Sequence, residues 1–143
     1  MAFKLFLDSD VVIDFFTDRA PHANPASELF DLNEKGEVVL YLSAVSINNI
    51  YYIVRRFLGH KKSIDVVETL IEMTEIIGTT KNEVLQALKN DFKDFEDSVQ
   101  YSSALTIKDL DAIITRNIKD FRNSKIAVMT PLLFLKMKEK SES

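Results

Sequence analysis

A chain of 143 residues, 46% of them hydrophobic, with only three glycines and three prolines, is sized for one domain with a sizeable core and no long flexible linker. Its lack of cysteine excludes disulfides, thiolate zinc sites and cysteine nucleophiles at once. A net charge of −4 excludes nucleic-acid binding by bulk electrostatics, so any such contact needs local basic patches or bridging cations.

Phe3–Leu7 is a short apolar run and reads as a buried strand, stopped by Asp8. From Asp10 the pattern turns helical, with Val11, Val12, Phe15 and Phe16 recurring at three- and four-residue spacing. Pro21 breaks it. Asn24-Pro25 predicts an N-cap followed by proline at the first helical position, and Gly36 stands where the C-terminal glycine of that helix belongs. Val38–Leu42 predicts a second strand. Ser43 or Ser46 can cap a long helix whose core face is Ile47, Ile50, Tyr51, Val54 and Phe57, ending near Gly59, and a further helix carries Val66, Val67, Leu70, Ile71 and Met73. A third strand is expected at Glu75 to Gly78 and a short helix from Lys81 to Asn90. Another helix, capped near Asp94, is expected from Phe95 to Ile107. Ala112–Thr115 and Ile126–Met129 predict the last two strands. Thr130-Pro131 opens a final helix, so that 1–137 forms a single domain and 138–143 a polar tail. No apolar stretch approaches the ~20 residues that span a bilayer, and Met1 to Asp8 is too short for a secretory segment. A cytoplasmic protein is expected.

Short strands alternating with helices imply a parallel sheet covered on both faces. Ligands of such sheets bind beyond the carboxyl ends of the strands, where Asp8 stands. Acids recur at two other element ends. "DFKDFEDSVQ" puts Asp91, Asp94, Glu96 and Asp97 in one short stretch, and "IITRNIKDF" carries Thr115, Asn117 and Asp120. Carboxylates brought together repel, and a hard divalent ion relieves the repulsion. Such an ion can also activate water and neutralise charge on a phosphate. The plainer reading of Asp91 and Asp94 is helix-dipole stabilisation and capping. Asp10 reads equally as a first-turn acid. Asp14 and Asp18, each four residues on, read as a solvated helix face.

With these segments in view, the chain resembles the PIN domain family, metal-dependent ribonucleases that include toxins of toxin–antitoxin pairs. "FLDSDVVID" looks like the family's opening strand with its first metal acid at Asp8. "LSAVSINNIYYIV" is similar to the helix that supplies a Glu six residues after the Ser. "DFEDSVQYSSAL" carries the third acid at Asp97, and "IITRNIKDF" matches the ending with Asp120. The resemblance implies a three-layer α/β/α sandwich with a central, mostly parallel sheet. It also implies Mg²⁺ or Mn²⁺ as cofactor and hydrolysis of RNA phosphodiesters. Asp8, Asp97 and Asp120 are the implied metal ligands. Two positions depart from the pattern: Asn49 stands for the Glu, and Asn117 for a frequent Asp, with Glu96 as a substitute acid. The implied catalytic set is Asp8, Asn49, Asp97, Asn117 and Asp120. Asn49 has the alternative of packing against polar backbone.

Ser9, Thr115 and Arg116 are expected to contact substrate, with Lys119 and Arg122 near the cluster and Arg55, Arg56, Lys61 and Lys62 as a second basic run. Tyr52 and Ile53 widen the apolar arc of the long helix, which points to an antitoxin or a homodimer seam, or else to a helix buried on two sides. Two rivals remain. A haloacid-dehalogenase-type phosphatase would use Asp8 as nucleophile and Asp10 as acid/base. A non-catalytic PIN-like module binding RNA or protein would explain the two asparagines.

Overall fold

The computed structural model describes residues 2–142. Five strands, β1 (Phe3–Leu7), β2 (Val38–Ser43), β3 (Glu75–Ile77), β4 (Ala112–Ile114) and β5 (Val128–Met129), form one sheet in the order β3-β2-β1-β4-β5. Every pairing is parallel, with Leu5 opposite both Leu40 and Ala112. Six helices cover it: α1 (Ser9–Phe16), α2 (Ala23–Glu34), α3 (Ala44–Met73), α4 (Lys81–Lys89), α5 (Phe95–Ala104) and α6 (Pro131–Glu142). This is the expected three-layer α/β/α sandwich.

Side chains on a strand alternate between faces, and here that alternation sorts the core into two. Leu5, Leu7, Leu40, Leu42, Ala112 and Ile114 pack with Val11, Leu29, Ile50, Leu70 and Phe134 of α1, α2, α3 and α6. Phe6, Ile113 and Tyr41 point the other way, against Tyr101 and Ala104 of α5 and Phe121. The chain builds β1, β2 and β3 outward on one side, then returns to lay β4 and β5 on the other. The strand order therefore reverses between β1 and β4, and their carboxyl ends flank the crevice where parallel sheets bind ligands.

Local departures from expectation have identifiable causes. The second helix starts at Ala23 with His22 as its N-cap and no side-chain cap bond, so Asn24 is not the cap and Pro25 lies within the first turn, where its missing N–H costs nothing. The two helices expected around Gly59 are present, however: α3 consists of two helical stretches that meet at Gly59, whose non-helical φ of 81° and ψ of 173° suit glycine alone. Phe57 beside the kink is 67% exposed rather than core. The fifth helix stops at Ala104, short of Ile107. The last helix carries on through the polar residues to Glu142 because Lys138 is buried and its Nζ bonds Glu37 Oε1 at 2.8 Å and the Glu142 carboxylate.

Gly59→Ala is expected to cost roughly 1–3 kcal/mol from backbone strain alone, since nothing lies within 4 Å of the added Cβ. Urea denaturation measures it; an unchanged midpoint would mean the kink relaxes freely.

Candidate active site

The site is assembled from four element ends. β1 delivers Asp8 at the start of α1, where the residue caps the helix: its Oδ1 accepts from Ser9 N at 2.8 Å. Its Oδ2 accepts from Thr115 Oγ1 at 2.8 Å, just past β4, and Asp8 N donates to Ile114 O at 2.9 Å. Asp8 thus both opens a helix and faces the crevice. Asp10 follows in the first turn. Its Oδ2 accepts from Asn117 Nδ2 at 3.2 Å, while Oδ1 is buried and has no hydrogen-bond partner among the described residues.

α5 brings the third acid. Asp94 caps it through Asp97 N at 3.0 Å, so Asp94 does the structural work and frees the Asp97 carboxylate. Asp97 and Asp120 line one cleft of about 320 Å³ with Asp94, Lys93, Lys119 and Arg122. Asp120 itself sits in the 3-10 turn Ile118–Phe121 after β4 and is exposed. From α3, Asn49 Nδ2 donates to Glu96 Oε1 at 2.7 Å.

This packing crowds the acids. Burial pushes Asp97 up to about 7, aided by the charges of Asp8, Asp94, Asp120 and Glu96. Burial and the charge of Asp8 push Asp10 to about 7 against the pull of Arg116. Asp8 is raised by burial and by Asp120, although Thr115 and Ser9 oppose this. Glu96 is raised by burial, Asp94 and Asp8, and eased by its bond from Asn49. Asp97 therefore stands within electrostatic reach of Asp8, Glu96 and Asp120, and Asp8 within reach of Glu96 and Asp120.

Repelling carboxylates and an orphaned buried oxygen on Asp10 fit an oxygen-seeking divalent ion. No group of three or more acidic or histidine side chains among the described residues could enclose an ion unaided. The fit is therefore to one or two carboxylates completed by water and phosphate, the usual arrangement for Mg²⁺.

Some expected site residues are used internally. The Ser9 hydroxyl is buried and donates to Ser46 Oγ at 3.2 Å, and the Thr115 hydroxyl is spent on Asp8, so both build the site from beneath. Each Asp8 oxygen accepts one hydrogen bond and keeps a lone pair for a cation. Arg116 does not face solvent freely: its Nε lies 2.8 Å from Asp14 Oδ2. Asp14, read as solvated, is 1% exposed. The four-residue spacing from Asp10 holds, but that face of α1 turns toward the segment after β4. Arg55, Arg56, Lys61 and Lys62 are exposed around the kink, away from the acids in sequence and element.

Gln100 was not singled out from sequence. It donates to Ser46 Oγ at 2.7 Å and accepts from Ser43 Oγ at 2.7 Å, tying α5 to the start of α3, while Ser9 ties α1 to the same hydroxyl. The available signal was its place three residues after Asp97, on the same helix face.

Residues 4–119 match the family model for the PIN domain. No curated protein sequence matches the chain. Among solved structures, similar folds include a DNA-bound VapBC from Salmonella typhimurium, at 18% identity and a TM-score of 0.67 over 90% of this chain and 98% of that one. A toxin–antitoxin complex from Klebsiella pneumoniae gives 19% identity and 0.66 over 89% and 97%. A sarcin–ricin loop cleaving VapC toxin of Mycobacterium tuberculosis gives 13% and 0.62 over 76% and 86%.

Proposed function

Because the chain belongs to the PIN domain family, we propose that it is a divalent-metal-dependent endoribonuclease and the toxin of a toxin–antitoxin pair. The observation that carries this reading is the acidic cleft beside the point where the strand order reverses: Asp97 and Asp120 line it, and Asp8 stands at the carboxyl end of β1 next to β4. Asp8 and Asp97 would hold Mg²⁺ or Mn²⁺, with Asp120 and Glu96 beside them. When bound, the ion supplies Lewis-acid activation of water and neutralises charge on the phosphodiester.

The chain's own residues do the rest. Asn117 orients the Asp10 carboxylate, and Thr115 and Ser9 fix that of Asp8. Lys93, Lys119 and Arg122 line the cleft with Asp97 and Asp120, and hold the RNA backbone on either side of the scissile phosphate. Local cations of this kind let an acidic protein bind a polyanion.

Asn49 replaces a direct acid by a positioning contact. Its amide holds Glu96 toward the cluster and keeps the number of negative charges up. Asn49→Ala is expected to weaken Mn²⁺ binding ~10–100-fold, as loss of a ligand-orienting partner does elsewhere. Isothermal titration measures it; unchanged affinity would remove Glu96 from the site.

The toxin role rests on the fold shared with toxin–antitoxin complexes. Val45 and Tyr52 on α3, and separately Leu85 and Leu88 on α4, stay exposed and apolar, and either pair offers contacts to an antitoxin or a second copy of the chain. No helix among the described residues is long and apolar enough to cross a membrane, and a cytoplasmic location fits an RNA substrate. Incubation of the protein with unstructured RNA in Mn²⁺, with and without chelator, is the test. Chelator-sensitive cleavage is the expected result; intact RNA at stoichiometric protein would leave the non-catalytic binding module.

A further inference from the structure

No Asp or Glu occurs between Glu37 and Asp65, although the chain carries 22 acids. Much of that acid-free run is the first stretch of α3, which starts at the carboxyl end of β2, next to β1 and Asp8. Its buried residues, Ser46, Ile50 and Val54, define one face. At 3.6 residues per turn, Val45, Asn48, Asn49, Tyr52, Arg55 and Arg56 share an arc of about 120° on the opposite face. Asn49 is half-buried and bonds Glu96 Oε1 at 2.7 Å; the other five are exposed. From Asn49, Tyr52 stands about 4.5 Å further along the axis and the arginines about 9–11 Å. The stripe therefore leads out of the site. Tyr52 is 56% exposed, and its ring is held in an edge contact with Tyr51, centroids 5.4 Å apart. Tyr51 is anchored in turn: its hydroxyl bonds His60 Nδ1 at 2.6 Å, across the bend at Gly59. Arg55 and Arg56 have no ion-pair partner among the described residues.

We propose that this stripe is a track for the RNA strand as it leaves the acids, with Tyr52 stacking a base and Arg55 and Arg56 holding phosphates. The proposal deepens the ribonuclease reading and rests on it for the occupant's identity. Three observations select a single-stranded polyanion. Two unpaired guanidiniums, on a helix face without a carboxylate, attract phosphate in a chain whose net charge repels it. A tyrosine ring braced on one side and open on the other is a platform on which any base can stack. Continuity with Asn49 lets one strand reach the track and the acids together. A duplex keeps its bases stacked inside and offers none to Tyr52. Stacking tolerates every base, so the track sets how firmly a strand is held, not which sequence is cut. A protein laid on Tyr52 and an RNA strand on the same face exclude each other.

The test follows fluorescence anisotropy of a labelled oligouridine of about 12 nucleotides on the full-length protein, in chelator so that the strand stays intact. Tyr52→Ala is expected to weaken binding about fivefold or more, and Tyr52→Phe to keep it. Arg55→Ala combined with Arg56→Ala should weaken it too. That pair should also flatten the slope of log affinity against log salt by about 1.4, the share of two single-strand phosphate contacts. Lys136→Ala removes an exposed cation on α6 and should leave the slope unchanged. Should Tyr52→Ala fail to fold, the arginine pair carries the test alone. Cleavage of the same strand in Mn²⁺ is read in parallel. RNA cut by the wild type, with affinity and salt slope untouched by the substitutions, would overturn the track and leave the ribonuclease standing. RNA bound through Tyr52 and the arginines but never cut would support the track and sink the ribonuclease. If the substitutions split a dimer in analytical ultracentrifugation and leave RNA affinity alone, the face is a seam between copies and the proposal is overturned.

Discussion

Asp97→Asn is expected to abolish metal-dependent RNA cleavage and, at the same time, to raise the melting temperature of the metal-free protein at pH 8. The two effects share one cause. Burial and the charges of Asp8, Asp94, Asp120 and Glu96 all disfavour the Asp97 anion, and the backbone N–H that Asp94 accepts belongs to Asp97 itself, so the cap survives the substitution. Removing the charge relieves repulsion that only a cation would otherwise relieve. Because the group is partly exposed, solvent screening cuts the gain to about 1 kcal/mol, or ~3–5 °C for a chain of this size. Activity should fall by about 10²–10³-fold or more, the scale of losing a group that stabilises developing charge. Differential scanning calorimetry and a cleavage assay on the same preparation check both halves. A variant that melts lower and still cleaves would remove Asp97 from the site.

The metal-free protein should be more stable at pH 5 than at pH 8. Asp10 and Asp97 are both raised from 3.8 to about 7 in the fold. Between these values the folded chain binds more protons than the unfolded chain, so stability falls as pH rises. It is fully present below about pH 4, is lost as pH climbs through about 7, and is flat beyond. Glu37 and Glu83 are lowered, so they act in the opposite sense only below the ordinary glutamate range. After screening, two such acids are worth on the order of 2 kcal/mol, or roughly 6–10 °C. Protons and cations compete for the same oxygens. Millimolar Mn²⁺ should therefore raise the melting temperature strongly at pH 8 and weakly at pH 5, by mass action on the folded state. A pH-independent metal effect, or a melting temperature that rises from pH 5 to pH 8, would mean these acids do not share an ion.

The parts of the site that were legible in sequence are those whose cause is local. Asp8 ends an apolar run and caps a helix, and both signals lie within five residues of it. Asp94 three residues before Asp97 is a cap by spacing alone. Asp14 illustrates the opposite case. Four residues from Asp10, it satisfies a solvated-face pattern equally well, and nothing in α1 reveals that Arg116, 102 positions later, closes over it. Ser9 and Thr115 looked like substrate donors because a free hydroxyl beside an acid is the simplest assumption. Their hydroxyls are spent on Ser46 and Asp8, and the first of these partners comes from another helix. Asn49 looked like a lost acid until its bond to Glu96 placed a charge from α5 near the vacated position.

Alternation and periodicity determined the strands, most helices and their burial, because side-chain direction along an element depends only on its own backbone repeat. Capping residues set most of the helix starts for the same reason. The order of strands in the sheet, the meeting of acids from β1, α5 and the segment after β4, and the neutralised Asp14 were decided only by tertiary packing. Contacts between positions a hundred residues apart leave no local pattern, and whether a carboxylate is solvated, capped or crowded depends on what the folded chain sets beside it.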